Sequence, residues 1–355
     1  MKYFTVGPTQ MYPSVKSAIE SAVKEEVFSM SHRSAKFQDL FRQTTENLRK
    51  LLDIPSENSI FFLSSGTEGM ERVIQNTVNK TSTHFVNGAF SKKFYETALE
   101  LGKKPIAIQA TQGAGFDFDK WKISKNSELI CLTHNETSTG VMLDMQQVYA
   151  FTAKHKSQLI ALDTVSSMPY PAIDYKKIDM VFFSVQKGFG MPAGLGVIIV
   201  SPRVLSKASQ LAKKVSIGSY HSFISLKKYA DKYQTPETPN VLDVYIFNKV
   251  IQDMQKKDIN KIRNEIEKKS AIFEKFFESS PEYEYLVKDK KLRSKTIHVV
   301  KVSGGSAQLI KLLKNKGFAV SAGYGELKED YIRIANFPAH SQKDIRSLIK
   351  NLMVI

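Results

Sequence analysis

Lys187 sits where an apolar run meets a glycine-rich loop, in Phe182-Phe183-Ser184-Val185-Gln186-Lys187-Gly188-Phe189-Gly190. Bulky residues in such a run read as a buried strand. Burial disfavours an ammonium, so a lysine at the strand mouth can be held partly neutral and attack a carbonyl. A lysine that only snorkels out of a strand end leaves the same trace. Asp163 ends a second apolar run, Leu159-Ile160-Ala161-Leu162-Asp163, and small polar residues follow it. A carboxylate there can keep a heteroaromatic nitrogen protonated, or simply cap a turn. A third run, Ser59 to Leu63, leads through Ser64-Ser65-Gly66-Thr67 into a helical pattern. Backbone N–H groups of Ser65, Gly66 and Thr67 at a helix N-terminus suit a phosphate, although an ordinary N-cap looks alike. No Gly-Lys-Ser/Thr follows, which excludes a nucleotide P-loop.

An amine, a carboxylate and an anion cradle, each at the end of its own strand, form the set that pyridoxal phosphate requires. Further segments join them in order: Gly7-Pro8-Thr9, Ser31-His32-Arg33-Ser34, His134-Asn135-Glu136-Thr137-Ser138-Thr139-Gly140, Gln234-Thr235-Pro236 and Tyr331-Ile332-Arg333-Ile334. On these residues the chain resembles the class V aminotransferases of the fold-type I pyridoxal phosphate superfamily, over essentially its whole length. Within that class it is most similar to phosphoserine and to alanine/serine:glyoxylate aminotransferases.

The resemblance implies a catalytic pair, with Lys187 holding the cofactor covalently and Asp163 meeting its pyridine nitrogen. It implies that Ser65, Gly66, Thr67 and Gln186 hold the cofactor phosphate, that Phe90 stacks on the ring and that Thr137 lies beside it. Gln234 and Thr235 correspond to a loop that reaches a neighbouring subunit's cofactor phosphate, so a homodimer with shared active sites is implied. Arg333 matches the arginine that grips the substrate's α-carboxylate. His32 and Arg33 match a pair that meets a side-chain phosphate from the neighbouring subunit. The implied activity is phosphoserine:2-oxoglutarate transamination in serine biosynthesis, with an alanine/serine:glyoxylate or serine:pyruvate aminotransferase as the alternative. Three departures stand out: Phe90 replaces the usual tryptophan, Gln234 replaces an asparagine, and Ser321-Ala322-Gly323-Tyr324-Gly325-Glu326 stands where phosphoserine enzymes carry a second His-Arg pair. A cysteine desulfurase is disfavoured, because the one cysteine, Cys131, precedes Lys187 and Gln186 stands where that chemistry uses histidine.

Positioning these groups requires strands that end at one edge. Apolar runs at Ser59 to Leu63, His84 to Val86, Pro105 to Ile108, Glu128 to Thr133, Leu159 to Asp163, Met180 to Ser184 and Gly196 to Val200 alternate with helical patterns. That alternation predicts an α/β fold with a mostly parallel, seven-stranded, helix-covered sheet, the fold-type I architecture. After the proline-marked Thr235-Pro236-Glu237-Thr238-Pro239 loop a long helix is expected from Val241. Strands near Thr296 to Val302, Ala319 to Ser321 and Tyr331 to Ile334 then predict a smaller α+β domain. The expected division is an N-terminal arm at 1–15, a large cofactor domain at 16–245 and a small domain at 246–355.

The chain of 355 residues carries a formal charge of +16. Its lysines are interleaved with Asp and Glu along helical stretches, the pattern of solvated helix faces and not of a nucleic-acid or membrane surface. Small amino and 2-oxo acids are the expected partners, with no nucleic acid, membrane or metal. A lone cysteine within an apolar run and no hydrophobic leader point to the cytoplasm.

Overall fold

A computed structural model describes residues 1–353. The large sheet has seven strands: β1 (Ser59–Leu63), β2 (Ser82–Val86), β3 (Ile106–Gln109), β4 (Leu129–Thr133), β5 (Leu159–Asp163), β6 (Met180–Ser184) and β7 (Gly196–Val200). Their spatial order is β1-β7-β6-β5-β4-β2-β3. Strands β2 to β6 pair parallel to one another, whereas β7 runs antiparallel to both β1 and β6. Every residue of β1, β2, β4, β5, β6 and β7 is buried. A sheet covered by helices on both faces demands this, which is why the strands read as continuous apolar runs without alternation. Observed β2 begins at Ser82, two residues before the apolar run; Ser82 hydrogen-bonds His84 Nε2 at 2.8 Å and Thr83 hydrogen-bonds Ser127 Oγ at 2.9 Å within the buried strand.

The Ala35–Leu52 helix shows how the covering layer is built. Ser34 accepts the Phe37 N–H at 3.2 Å as N-cap, and Phe37, Leu40, Phe41, Thr44, Leu48 and Leu51 are buried at the spacing of one helical face. The long helix expected from Val241 is present as Val241–Lys257, and it packs on the Ala35–Leu52 and Ser14–Lys24 helices.

The boundary expected at 245/246 falls inside that helix. Its Val250, Ile251 and Met254 belong to the same core as Phe41 and Phe62, so the chain remains with the large domain to the helix end. We place the division near Asp258, which adopts φ 66° between two successive helices. The small sheet orders β8 (Tyr283–Tyr285), β9 (Ile297–Val302), β11 (Tyr331–Ala335) and β10 (Ser321–Ala322), all antiparallel. The single strand expected at 319–321 is two short ones. Phe318–Ala319 pairs with Lys2–Tyr3, and Ser321–Ala322 pairs with β11. The first residues therefore dock on the small domain, where Phe4 is fully buried beside Phe273 and Phe318.

Lys269 secures the turn after β11. It is 2% exposed and donates to the Phe337 and His340 carbonyls at 2.8 and 2.9 Å. Burial lowers its ammonium to about 7. Between that value and the ordinary lysine value near 10.4 the unfolded chain binds more protons than the folded one, so folding gains stability as pH rises through the window. The stability of wild type relative to Lys269→Met is expected to rise from pH 7 to 9, by up to about 1.4 kcal/mol per pH unit. Denaturant melts of both proteins at pH 7, 8 and 9 check this, and a constant difference rules it out.

Candidate active site

The C-terminal ends of β1, β4, β5 and β6 open into one cavity of about 300 Å³, walled on its far side by Arg333 and Tyr324 of the small domain. Ligands of open α/β sheets gather at such strand ends. A larger hollow, about 580 Å³, opens between the Ile259–Ser279 helix and the turn at 338–343; Lys269 lines it, but none of the residues that the sequence points to for catalysis or binding does.

Lys187 reaches the cavity from the loop after β6. Gly188 must follow it without a side chain, since a Cβ would lie 1.9 Å from the Met168 carbonyl oxygen. On its other side the N-terminal segment crosses at Gly7, φ +141°, where a Cβ would come within 2.9 Å of Lys187 Cε. The Lys187 ammonium donates to Thr137 Oγ1 at 3.4 Å and lies 5.2 Å from the Phe90 ring centroid. Burial drives its pKa down from the usual lysine value, against the pull of Asp163 and with the help of Arg333. Asp163, 3% exposed, accepts the Val165 N–H at 2.8 Å. Burial drives its carboxyl upward, while the Val165 N–H and the Lys187 charge oppose that rise.

The Gly66–Thr77 helix starts at the cavity, and Ser65, Gly66 and Thr67 line it. Ser65 Oγ accepts the Glu68 N–H at 3.1 Å, so this serine is a true N-cap as well as a cavity residue. Gly66 donates its N–H to Ser184 Oγ at 2.7 Å, which ties the end of β6 to the helix start. The positive end of the helix thus faces the cavity. Gln186 and Phe90 also line it, and Asn135 Oδ1 is buried there without a hydrogen-bond partner.

Arg333 lies on β11 and is 9% exposed. Its Nε donates to the Ala322 carbonyl at 2.8 Å, which leaves the terminal nitrogens for a carboxylate. Burial lowers its guanidinium to about 10, with Tyr324 and Glu136 pulling the other way. The remaining expected residues gather elsewhere. Arg33 NH1 donates to Gln234 Oε1 at 2.9 Å and to the Thr235 carbonyl at 2.7 Å, and the guanidinium lies over Tyr229. His32, Arg33, Gln234 and Thr235 do not line this chain's own cavity.

Sequence reasoning gave Glu136 no role. It is fully buried, and its two oxygens accept from Ser91 N and Oγ at 2.8 and 2.9 Å, from Ser138 N and Oγ at 3.1 and 2.7 Å, and from Phe90 N. It therefore caps the Ala89–Glu100 helix and fixes the backbone of Phe90. A signal was present: that helix begins after Gly88, which has no side chain to cap it, so an acceptor from a distant segment was required.

The donor set fits pyridoxal phosphate. A buried amine and a buried carboxylate share one cavity, an aromatic ring flanks the amine, and a helix N-terminus is aimed at the space between them. A family model described as Aminotransferase class-V matches residues 3–328. A crystal structure of a phosphoserine aminotransferase from Cytophaga hutchinsonii is similar at 45% identity and a TM-score of 0.97, covering 99% of this chain and 98% of that one. A phosphoserine aminotransferase of Rhodococcus opacus is 26% identical over 98% of this chain and 93% of its own length. A protein named soluble hydrogenase 42 kDa subunit, from Anabaena cylindrica, is 28% identical over 98% of this chain and 91% of its own length.

Proposed function

Since the chain belongs to the class V aminotransferases, and is with them a pyridoxal phosphate-dependent transaminase acting on amino and 2-oxo acids, we propose that its amino donor is O-phospho-L-serine and its acceptor 2-oxoglutarate. Bound pyridoxal phosphate supplies the carbonyl carbon that takes up the amino group and an electron sink for the charge left at Cα. Lys187, held toward its neutral form by burial, takes the Cα proton and returns it, as a general base and then a general acid. Asp163 would hold a proton on the pyridine nitrogen. Glu136 keeps Phe90 in place beside the amine, and Arg333 receives the α-carboxylate on its terminal nitrogens, fixing the direction of the Cα–H bond. Ser65, Gly66, Thr67 and Gln186 would hold the phosphate, and Thr137 would lie beside the ring.

We further propose a homodimer in the cytoplasm, in which His32, Arg33, Gln234 and Thr235 of one protomer complete the other's cavity. The observation that carries the phosphoserine reading is the likeness to the Cytophaga hutchinsonii enzyme along the entire chain. The loop Gly323–Gly325, which lacks the second His-Arg pair, favours the alanine/serine:glyoxylate alternative. The two separate in a half-reaction. The cofactor-loaded enzyme is mixed with O-phospho-L-serine, L-alanine or L-serine, and the visible cofactor absorbance is followed. Loss of that absorbance is expected at least about a hundredfold faster with O-phospho-L-serine, the scale of a close charge pair to its phosphate across an interface. Conversion of the unphosphorylated amino acids alone moves the protein to the alternative.

A further inference from the structure

The small domain presents one aromatic side chain to the cavity. Tyr324 lies on the turn between β10 and β11, is 46% exposed, and still makes two specific contacts. Its ring centroid is 5.4 Å from that of Phe90 with the planes at 47°, and the Arg333 guanidinium carbon lies 5.4 Å from its ring centroid. Phe90 belongs to the large domain, so the Phe90–Tyr324 contact bridges the two domains across the cavity mouth.

The turn holds Tyr324 firmly. Gly323 donates its N–H to the Tyr331 carbonyl at 2.6 Å, and any Cβ at Gly323 would lie 2.0 Å from the Leu327 carbonyl oxygen. The Leu327 N–H returns to the Tyr324 carbonyl at 3.2 Å. An exposed aromatic on a loose loop would be unremarkable surface; here a constrained turn sets the ring near the only arginine lining the cavity among the described residues.

Arg333 itself has one recorded hydrogen bond, from Nε to the Ala322 carbonyl. That bond anchors the Nε edge of the guanidinium and leaves both terminal nitrogens free of hydrogen bonds among the described residues. A ring face over the guanidinium limits the swing of the long side chain about that anchor and excludes water from one side, leaving the edge with two terminal nitrogens for a planar carboxylate.

Resting on the reading of Arg333 as the carboxylate site, we propose that Tyr324 is the positioning residue of that site: its ring face orients the Arg333 guanidinium for the substrate's α-carboxylate and closes the cavity against Phe90. The role depends on the ring and not on the hydroxyl. It also gives the Gly323–Gly325 loop a function in a chain that lacks a charged pair there.

The test uses the cofactor-loaded enzyme and the amino acid that wild type converts. Dissociation constants are measured from the cofactor absorbance for the α-methyl analogue of that amino acid, which has no Cα proton to lose, and for its carboxamide. Tyr324→Leu is expected to weaken the α-methyl acid about tenfold, the scale of a partly desolvated cation–π contact, and to leave the carboxamide little changed. KM should rise by more than kcat falls, and Tyr324→Phe should restore most of the affinity. Equal loss for acid and carboxamide, unchanged acid affinity in Tyr324→Leu, or a failure of Tyr324→Phe to rescue each overturns the proposal. Tyr324→Ala replaces Tyr324→Leu if the latter is unstable to heat. A wild-type enzyme that binds acid and carboxamide alike refutes the Arg333 reading itself, and this proposal with it. A donor other than O-phospho-L-serine shows already in wild type and leaves the comparison intact.

Discussion

Lys187→Ala is expected to lower transamination about ten-thousandfold, the upper range for loss of a positioned general acid and base. The side chain is buried, its ammonium is depressed by that burial, and its nearest polar neighbour is Thr137 at 3.4 Å. Removing it leaves no other amine lining the cavity among the described residues. Asp163, the cradle and Arg333 remain, so the variant should still take up pyridoxal phosphate without a covalent bond. Equilibrium dialysis measures the uptake and single-turnover mixing measures the rate. A variant that keeps a tenth of wild-type turnover would falsify the assignment.

The second large effect is expected at Asp163→Asn, a loss of about a thousandfold in kcat/KM. Asparagine keeps an acceptor for the Val165 N–H, so the end of β5 should hold its shape. What disappears is the buried carboxylate that would pair with the protonated pyridine nitrogen of the bound cofactor, a pair the apo-protein does not have. Leaving one member of a buried ion pair unpartnered costs about 3–5 kcal/mol, which sets the scale. Thermal melts of the apo-protein should be nearly unchanged while the single-turnover rate collapses. A melt that falls together with the rate would instead assign Asp163 to structure.

The places of Lys187, Asp163 and Ser65 to Thr67 were legible because Asp163 ends its strand and the others stand within four residues of a strand end, and a fully buried strand announces itself as an apolar run. Arg333 lies mid-strand on β11, where no strand-end pattern marks it, and its expected role came from the resemblance of Tyr331-Ile332-Arg333-Ile334. Glu136 was not, because its meaning depends on Phe90, Ser91 and Ser138, and the two former lie 45 or more residues away. No local pattern marks a carboxylate as the cap of another segment's helix. The tie from Arg33 to Gln234 and Thr235 spans about 200 residues and was invisible for the same reason. The placing of the boundary at 245 has a different origin. The proline-marked loop before Val241 looks like a linker, but the helix after it is amphipathic toward the large domain, and packing overrides a composition change. The split at Val320 was hidden because Phe318 to Ala322 has one hydrophobic texture while its two halves pair with different partners.

The antiparallel strand β7 also sets an order of assembly during synthesis. Strand β1, which delivers the Ser65–Thr67 cradle, is an edge strand whose one neighbour in the sheet is β7, with Leu63 opposite Gly196. As the chain leaves the ribosome, β1 emerges first of the seven and must wait until β7 has followed. Strands β2 to β5 can meanwhile begin to pair among themselves, since domains form as their segments become available. The amine of Lys187 and the carboxylate of Asp163 are thus in hand before the anion cradle is fixed to the sheet. Pyridoxal phosphate is expected to engage a nascent chain only after β7 is exposed, which makes cofactor capture a late event in the birth of this protein.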